Sequence, residues 1–305
     1  MTPARSRPTV AVVIPCFNQG RYLSASIASV RAQRYAVDAC VVVDDGSTDG
    51  TAAVAARLDV PVIRQANAGV SAARNAGLAA MRTDYVAFLD ADDELLADAI
   101  ESEVDAFAEH AGAAAVVGRC QSMDADGRPL VTRHDGVDPD RLYHEWLRRN
   151  FVWTPGAALF ARRALEDIGG FPRDLGPAAD YAVYLRLARE DRVAYVPREL
   201  VRYRQHHASM SRDPALMLRA TLGVLRRERR AAPAWARDAI RASADEWRQW
   251  YGEQIVEWLR GDVAARRAGP RHWRAALTLL RHCPAMVLRR TAGRSRRAVS
   301  WRASR

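Results

Sequence analysis

The sequence predicts an α/β fold, with a mostly parallel central sheet flanked by helices and a helical, basic C-terminal appendage. Three observations predict it. Short apolar runs alternate with helix-period stripes from Val10 to Gly118, the pattern of parallel strands joined by helices. Four consecutive runs end abruptly in polar clusters, and open α/β sheets bind ligands beyond their strand ends. Charge also divides the chain. Residues 1–212 hold 25 Arg against 28 acids, a net of −3, whereas residues 213–305 hold 21 Arg against 8 acids, a net of +13.

The elements follow in order. Val10–Ile14 is an apolar run closed by Pro15, and Leu23, Ile27 and Val30 then form a helix stripe. Cys40–Val43 predicts a second strand and Val60–Ile63 a third. Ser71–Met81 predicts a helix and Tyr85–Leu89 a fourth strand. A helix over residues 95–110 and a strand over residues 114–118 follow. Asp124–Gly127 carries turn chemistry. Arg162–Ile168 and Asp180–Arg189 predict helices, and Val193–Val196 a strand. From Asp213 the pattern is helical, punctuated by Pro233, Pro270 and Pro284. The expected division is 1–212, itself split into 1–119 and 120–212, followed by 213–305.

A chain of 305 residues with 49% hydrophobic content supports one large domain with an appendage. All 46 basic residues are Arg, so a choice of Arg over Lys at any site says little. Cys16, Cys40, Cys120 and Cys283 form no CxxC, and buried thiols are expected rather than zinc or disulfides. No apolar signal region precedes Val10, and no run reaches the roughly 18 apolar residues a spanning helix needs. Secretion and membrane spanning are therefore not expected.

The fourth strand carries the sharpest chemistry, Tyr85-Val-Ala-Phe-Leu-Asp-Ala-Asp-Asp93. Alternation places Asp90 and Asp92 on one side of a strand end. Hard oxygen donors there suit Mg²⁺ or Mn²⁺, which bind a few carboxylates plus substrate phosphates. Helix capping competes for Asp92 and Asp93. Neither GxGxxG nor GxxxxGK[ST] occurs, so phosphate is expected on metal and Arg. Asp44 and Asp45 are placed to read a base, against a turn-forming alternative. Thr48 and Asp49 are expected to be structural.

Four segments carry a resemblance. Val10-Ala-Val-Val-Ile-Pro-Cys-Phe-Asn18, Val41-Val-Val-Asp-Asp-Gly-Ser-Thr-Asp-Gly-Thr51, Asn67-Ala-Gly-Val-Ser-Ala-Ala-Arg-Asn-Ala-Gly77 and Phe88-Leu-Asp-Ala-Asp-Asp93 resemble the family 2 glycosyltransferases. A weaker match continues through Ile168-Gly-Gly-Phe171, Asp180–Ala188 and Tyr203–Ser211. The resemblance implies a GT-A fold, Rossmann-like in its sheet, a nucleoside-diphosphate sugar donor, a divalent metal and inversion at the anomeric carbon. It implies that Pro15 and Asn18 line the donor site and that Asp45 contacts the base, commonly uracil. Arg74 would lie near base and phosphates, and Asp90 would face ribose and metal. Asp92 would ligate the metal directly, with His206, next to His207, helping. Asp180 would be the general base. The family commonly places Glu before that Asp, and here Ala179 stands instead. Trp153 is read either as a sugar-stacking residue or as an ordinary loop aromatic.

The implied activity is transfer to a hydroxyl of a glycan or lipid-linked acceptor in cell-surface polysaccharide or glycoconjugate synthesis. A nucleotidyltransferase and a catalytically inactive glycan- or partner-binding module are the rivals. In the tail, Ile240, Ala244, Trp247, Tyr251, Ile255 and Trp258 form an amphipathic stripe expected to pack on the catalytic domain or on another subunit, as in a homodimer. Trp273, Leu277 and Leu280 form a second stripe beside Arg271, Arg274 and Arg281, and Arg289–Arg305 adds a cationic end. Residues 263–305 are read as meeting an anionic membrane surface, with a solvated basic face as the alternative and nucleic acid not expected. A cytoplasmic location, peripheral on the inner face of the membrane, follows from that reading.

Overall fold

The computed structural model describes residues 7–134, 136–207, 209–264 and 269–287. The chain divides into two compact units, Met1–His207 and Ala208–Arg305. The boundary expected after Arg212 falls just inside the second unit, whose first turn is Met210–Arg212.

The first unit is built on β1 (Val10–Cys16), α1 (Gly20–Arg31), β2 (Ala39–Asp44), α2 (Thr51–Arg57), β3 (Val62–Arg64), α3 (Val70–Ala80), β4 (Tyr85–Phe88), β5 (Glu94–Leu95), α4 (Ala99–Glu109) and β6 (Ala115–Met123). It continues with α5 (Leu142–Arg148), β7 (Ala158–Ala161), α6 (Arg162–Asp167), α7 (Ala179–Arg189) and β8 (Val193–Arg204). One eight-stranded sheet results, in the order β3-β2-β1-β4-β7-β6-β8-β5. β3, β2, β1 and β4 are mutually parallel. β7 runs against β4 and β6, β8 is parallel to β6, and β5 is antiparallel to β8. Only β5 and β7 oppose the common direction, so the sheet is mixed but mostly parallel.

β1 is buried along its whole length, as a strand covered on both faces must be. α3 packs on β1 and β2. Gly77 permits that approach, because a Cβ there would lie 2.2 Å from Val13 Cγ1. Beyond β4, Phe88, Phe171, Phe160, Tyr184 and Trp146 form a buried aromatic column with successive ring centroids 4.8 to 6.2 Å apart.

Three expected elements differ, the first being the strand expected over residues 114–118, which runs on to Met123 as β6. The helix expected over residues 95–110 starts only at Ala99, because Glu94–Leu95 pairs with Val201 and Arg202 as β5. The strand expected at Val193–Val196 extends to Arg204.

The second unit contains α8 (Pro214–Ala231), α9 (Ala236–Ala264) and α10 (Pro270–His282). Leu218 and Leu222 of α8, Ile255 of α9, and Ala275 and Leu279 of α10 share one apolar core. Ala244, Tyr251 and Trp258 pack against it, so much of the α9 stripe is used inside this three-helix unit. Among the described residues, no helix is long and apolar enough to cross a membrane. The cationic segment Arg289–Arg305 lies outside the described residues.

Candidate active site

The site forms where β1, β2, β3 and β4 end. Asn18, at φ 54°, ties the first two ends together. Its amide donates to Ser47 Oγ (2.9 Å), and its Oδ1 accepts from the amides of Thr48 (2.8 Å) and Asp49 (3.3 Å). Asp49 accepts from the Gly20 amide at 3.0 Å and from the Thr51 amide at 3.0 Å, the structural work expected of it. Pro15 is buried inside β1 opposite Val43, one residue before the strand ends at Cys16.

Asp45 is buried and engaged. Its Oδ1 accepts from Gln65 Nε2 (2.7 Å) and the Ala68 amide (2.9 Å), and its Oδ2 from the Gly69 amide (2.8 Å). The carboxylate thus holds the loop that opens α3, and Oδ2 keeps acceptor capacity. Asp44 is fully buried, accepts from the Ser47 amide at 2.8 Å and faces inward.

Asn75 of α3 joins residues 1–119 to residues 120–212, and its neighbour Arg74 contacts both segments. Asn75 donates to the Phe171 carbonyl and accepts from the Phe171 amide, both at 2.8 Å. The chain bends to meet it through Gly169 and Gly170, at φ 81° and 69°. The Arg74 guanidinium lies over the Phe171 ring at 5.3 Å and donates to Asp90 Oδ1 at 2.7 Å. Burial works against its charge, yet Asp90 and then Asp180 hold its pKa above the ordinary arginine value.

Asp180 lies in the first turn of α7, 5% exposed, with Oδ1 accepting from the Tyr181 amide at 2.8 Å. Burial pushes its pKa up to about 6, against the pull of Arg74 and the Tyr181 amide and with the push of Asp90. A carboxyl titrating there is poised to take a proton near neutral pH. Tyr184, one turn further along α7 and fully buried, is among its neighbours.

The expected metal set divides in two. Asp92 Oδ2 and His206 Nε2 are 2.7 Å apart, while Asp90 is turned to Arg74 and to Thr154 Oγ1 (3.4 Å). Among the described residues no three His, Cys, Asp or Glu side chains converge into a protein cage. An oxygen and an imidazole nitrogen side by side fit a divalent ion whose other positions go to phosphate and water. Two neighbouring ligands of an octahedral ion at about 2.1 Å stand about 3 Å apart, close to the gap observed.

Asp93 does not cap the following helix. It is buried, and its Oδ1 accepts from the Arg204 amide of β8 at 2.9 Å. Burial, then Asp92 and Asp90, push its pKa well above the usual carboxylate range. Arg204, also buried, donates to the Asp92 carbonyl (2.7 Å) and to Glu94 Oε1 (2.5 Å). Tyr22 of α1 stacks on His206 at 5.1 Å and lies under the Arg204 guanidinium at 4.9 Å. Tyr22, Glu94 and Arg204 carry no signal in the motifs named from the sequence. For Tyr22 the signal was its place one turn after the first strand end, and for Arg204 it was adjacency to His206. Trp153 is 41% exposed and meets the Tyr203 ring edge-on at 6.4 Å.

A sheet of this order, with a carboxylate-rich strand end facing a buried guanidinium and a near-neutral carboxyl, defines a glycosyltransferase of GT-A fold. Residues 11–169 match the family described as "Glycosyl transferase family 2", and the chain belongs to that family. An uncharacterised Mycobacterium tuberculosis protein is 28% identical over 290 residues, 87% of each chain. A pre-mycofactocin glycosyltransferase of the same species is 33% identical over 219 residues, 68% of this chain but only 45% of that one. The mannosyltransferase PcManGT of Pyrobaculum calidifontis, solved with GDP-Man and Mn²⁺, has a TM-score of 0.60 at 20% identity, covering 95% of this chain and 80% of that one. Staphylococcus aureus TarS in complex with UDP-GlcNAc has a TM-score of 0.56 at 15% identity, covering 80% and 71%. At these identities the solved structures establish the fold.

Proposed function

We propose that this chain moves a sugar, with inversion, from a nucleoside-diphosphate donor, a UDP-sugar, to a hydroxyl of a glycan or lipid-linked acceptor in cell-surface polysaccharide or glycoconjugate synthesis. The observation that carries the reading is the placing of Asp90 and Asp180 against one buried guanidinium, Arg74. It couples the donor-side carboxylate to the carboxyl with the pKa of a base.

In the proposed single displacement, Asp180 takes the proton of the acceptor hydroxyl. The acceptor oxygen bonds to the anomeric carbon as the bond from that carbon to the diphosphate oxygen breaks. The electron pair leaves with the nucleoside diphosphate. Asp92 and His206 would hold Mg²⁺ or Mn²⁺, which when bound supplies charge neutralisation for the diphosphate. Asp45 and the Ala68–Gly69 amides it orders support the base end. Arg74 adds fixed positive charge that needs no reorganisation. Trp153 and Tyr203 offer the acceptor an aromatic rim. The work is placed on the cytoplasmic side of the membrane.

The test is a panel of UDP- and GDP-sugars, read first by thermal shift with Mn²⁺ and then by product. Stabilisation by a UDP-sugar and release of nucleoside diphosphate are expected. Release of pyrophosphate would instead support a nucleotidyltransferase. No response to any donor would support an inactive binding module.

A further inference from the structure

Helix α10 presents two opposed apolar faces, and the three-helix core uses only one. Ala275, Thr278 and Leu279 are buried, and with Cys283 they close the core with α8 and α9. Thr278 Oγ1 accepts from Arg219 of α8 at 2.8 Å, and Cys283 Sγ lies 3.4 Å from the Arg248 carbonyl of α9, fixing the helix's rotation. That rotation leaves Trp273, Leu277 and Leu280 outward, 73%, 63% and 57% exposed. At i, i+4 and i+7 they fall within an arc of roughly 60°. Arg274 and Arg281 occupy the next sector, followed by Arg271, and all three are exposed. From Val263 onward the sequence holds 12 Arg and no acid.

We propose that the Trp273–Leu277–Leu280 face of α10 is a membrane-contacting surface that lies in the headgroup region of an anionic bilayer. Two large aliphatic side chains and an indole in one line suit the boundary between headgroups and acyl chains. The adjoining guanidinium groups match anionic phosphates. Charge argues against a second copy as the occupant. A two-fold pairing through this face sets Arg271, Arg274 and Arg281 against their own mates, with no acid on α10 to offset them. The surface deepens the reading of a membrane-side acceptor, yet it fails separately. Vesicle binding reads the surface, and transfer to a soluble glycan acceptor reads the activity.

The experiment is flotation of the full chain with phosphatidylcholine vesicles, with and without phosphatidylglycerol. Co-flotation only with phosphatidylglycerol is expected, weakened by salt. The double variant Leu277→Glu, Leu280→Glu should partition about tenfold less. Its circular dichroism and its transfer to soluble acceptor should be unchanged, since both positions are solvent-facing. The triple variant Arg271→Gln, Arg274→Gln, Arg281→Gln should lose the preference for anionic lipid. The proposal is overturned if the native chain ignores both vesicles, or if the double variant floats as well as the native chain. It is equally overturned if sedimentation shows that the double variant abolishes a native dimer while flotation is unaffected.

Discussion

Replacing Asp180 by Asn separates what the carboxyl does for catalysis from what it costs the fold. Its pKa is about 6 in the native state against an ordinary value of 3.8. A difference of about two units corresponds to roughly 3 kcal/mol between the protonation states. The sign follows from proton binding. Between those two values the folded chain holds the proton more tightly than the unfolded chain, so the stability this provides is fully present below about pH 4. It is lost as pH rises through about 6. Asparagine keeps the neutral shape and an oxygen for the Tyr181 amide but never ionises. Asp180→Asn should therefore match the native chain near pH 4 and exceed it by up to about 3 kcal/mol above pH 7. Urea unfolding across a pH series would read this difference. Transfer should fall by about 10² to 10⁴ with donor binding retained, and the native rate should show an acidic limb near pH 6. A variant that is active, or whose stability advantage does not grow with pH, would refute the reasoning.

Other outcomes follow from the same geometry. Asp92→Ala should weaken Mn²⁺-dependent donor binding, and an unchanged calorimetric titration with Mn²⁺ and donor would count against the Asp92–His206 pair. Tyr22→Leu removes the ring stacked on His206. A loss of about 0.5–1.5 kcal/mol predicts Mn²⁺ binding several-fold weaker by calorimetry, with kcat at saturating metal little changed. Arg204→Ala strips a buried cation from Glu94 and the Asp92 carbonyl. It should cost about 3 kcal/mol in urea unfolding, and Arg204→Lys should recover only part, lacking the planar fork. Gly77→Ala would drive a methyl into Val13 and should cost about 1–3 kcal/mol, seen as a lower Tm.

What could be read from the sequence was what local chemistry decides. Val10–Cys16 announces itself as a strand because both its faces are buried and every residue is apolar or small. Asp90 and Asp92 stand out because nothing in a core calls for them. What could not be read depends on partners distant in sequence. Glu94–Leu95 is a strand only because Val201 and Arg202 lie beside it. The long β8 was hidden by Arg198, Glu199 and Arg202, whose polar side chains break the apolar run without breaking the ladder. Asp93 looks like a cap in its local sequence, and its true partner is an amide 111 residues away. The second task of Asp45, holding the Ala68 and Gly69 amides, is equally invisible in its local sequence.

The insertion of β8 between β6 and β5 also sets an order of assembly. Among the described residues β5 has no neighbour in the sheet other than β8, and Asp92 meets His206 across 114 residues. Strands β1 to β4 can align as soon as they are synthesised, but the strand that finishes the site arrives last from the first unit. Contacts of such sequence separation form slowly. A chain interrupted before Val193 would hold Asp92 without its His206 partner. On the proposed Asp92–His206 pair, cation affinity would report that the whole sheet has closed.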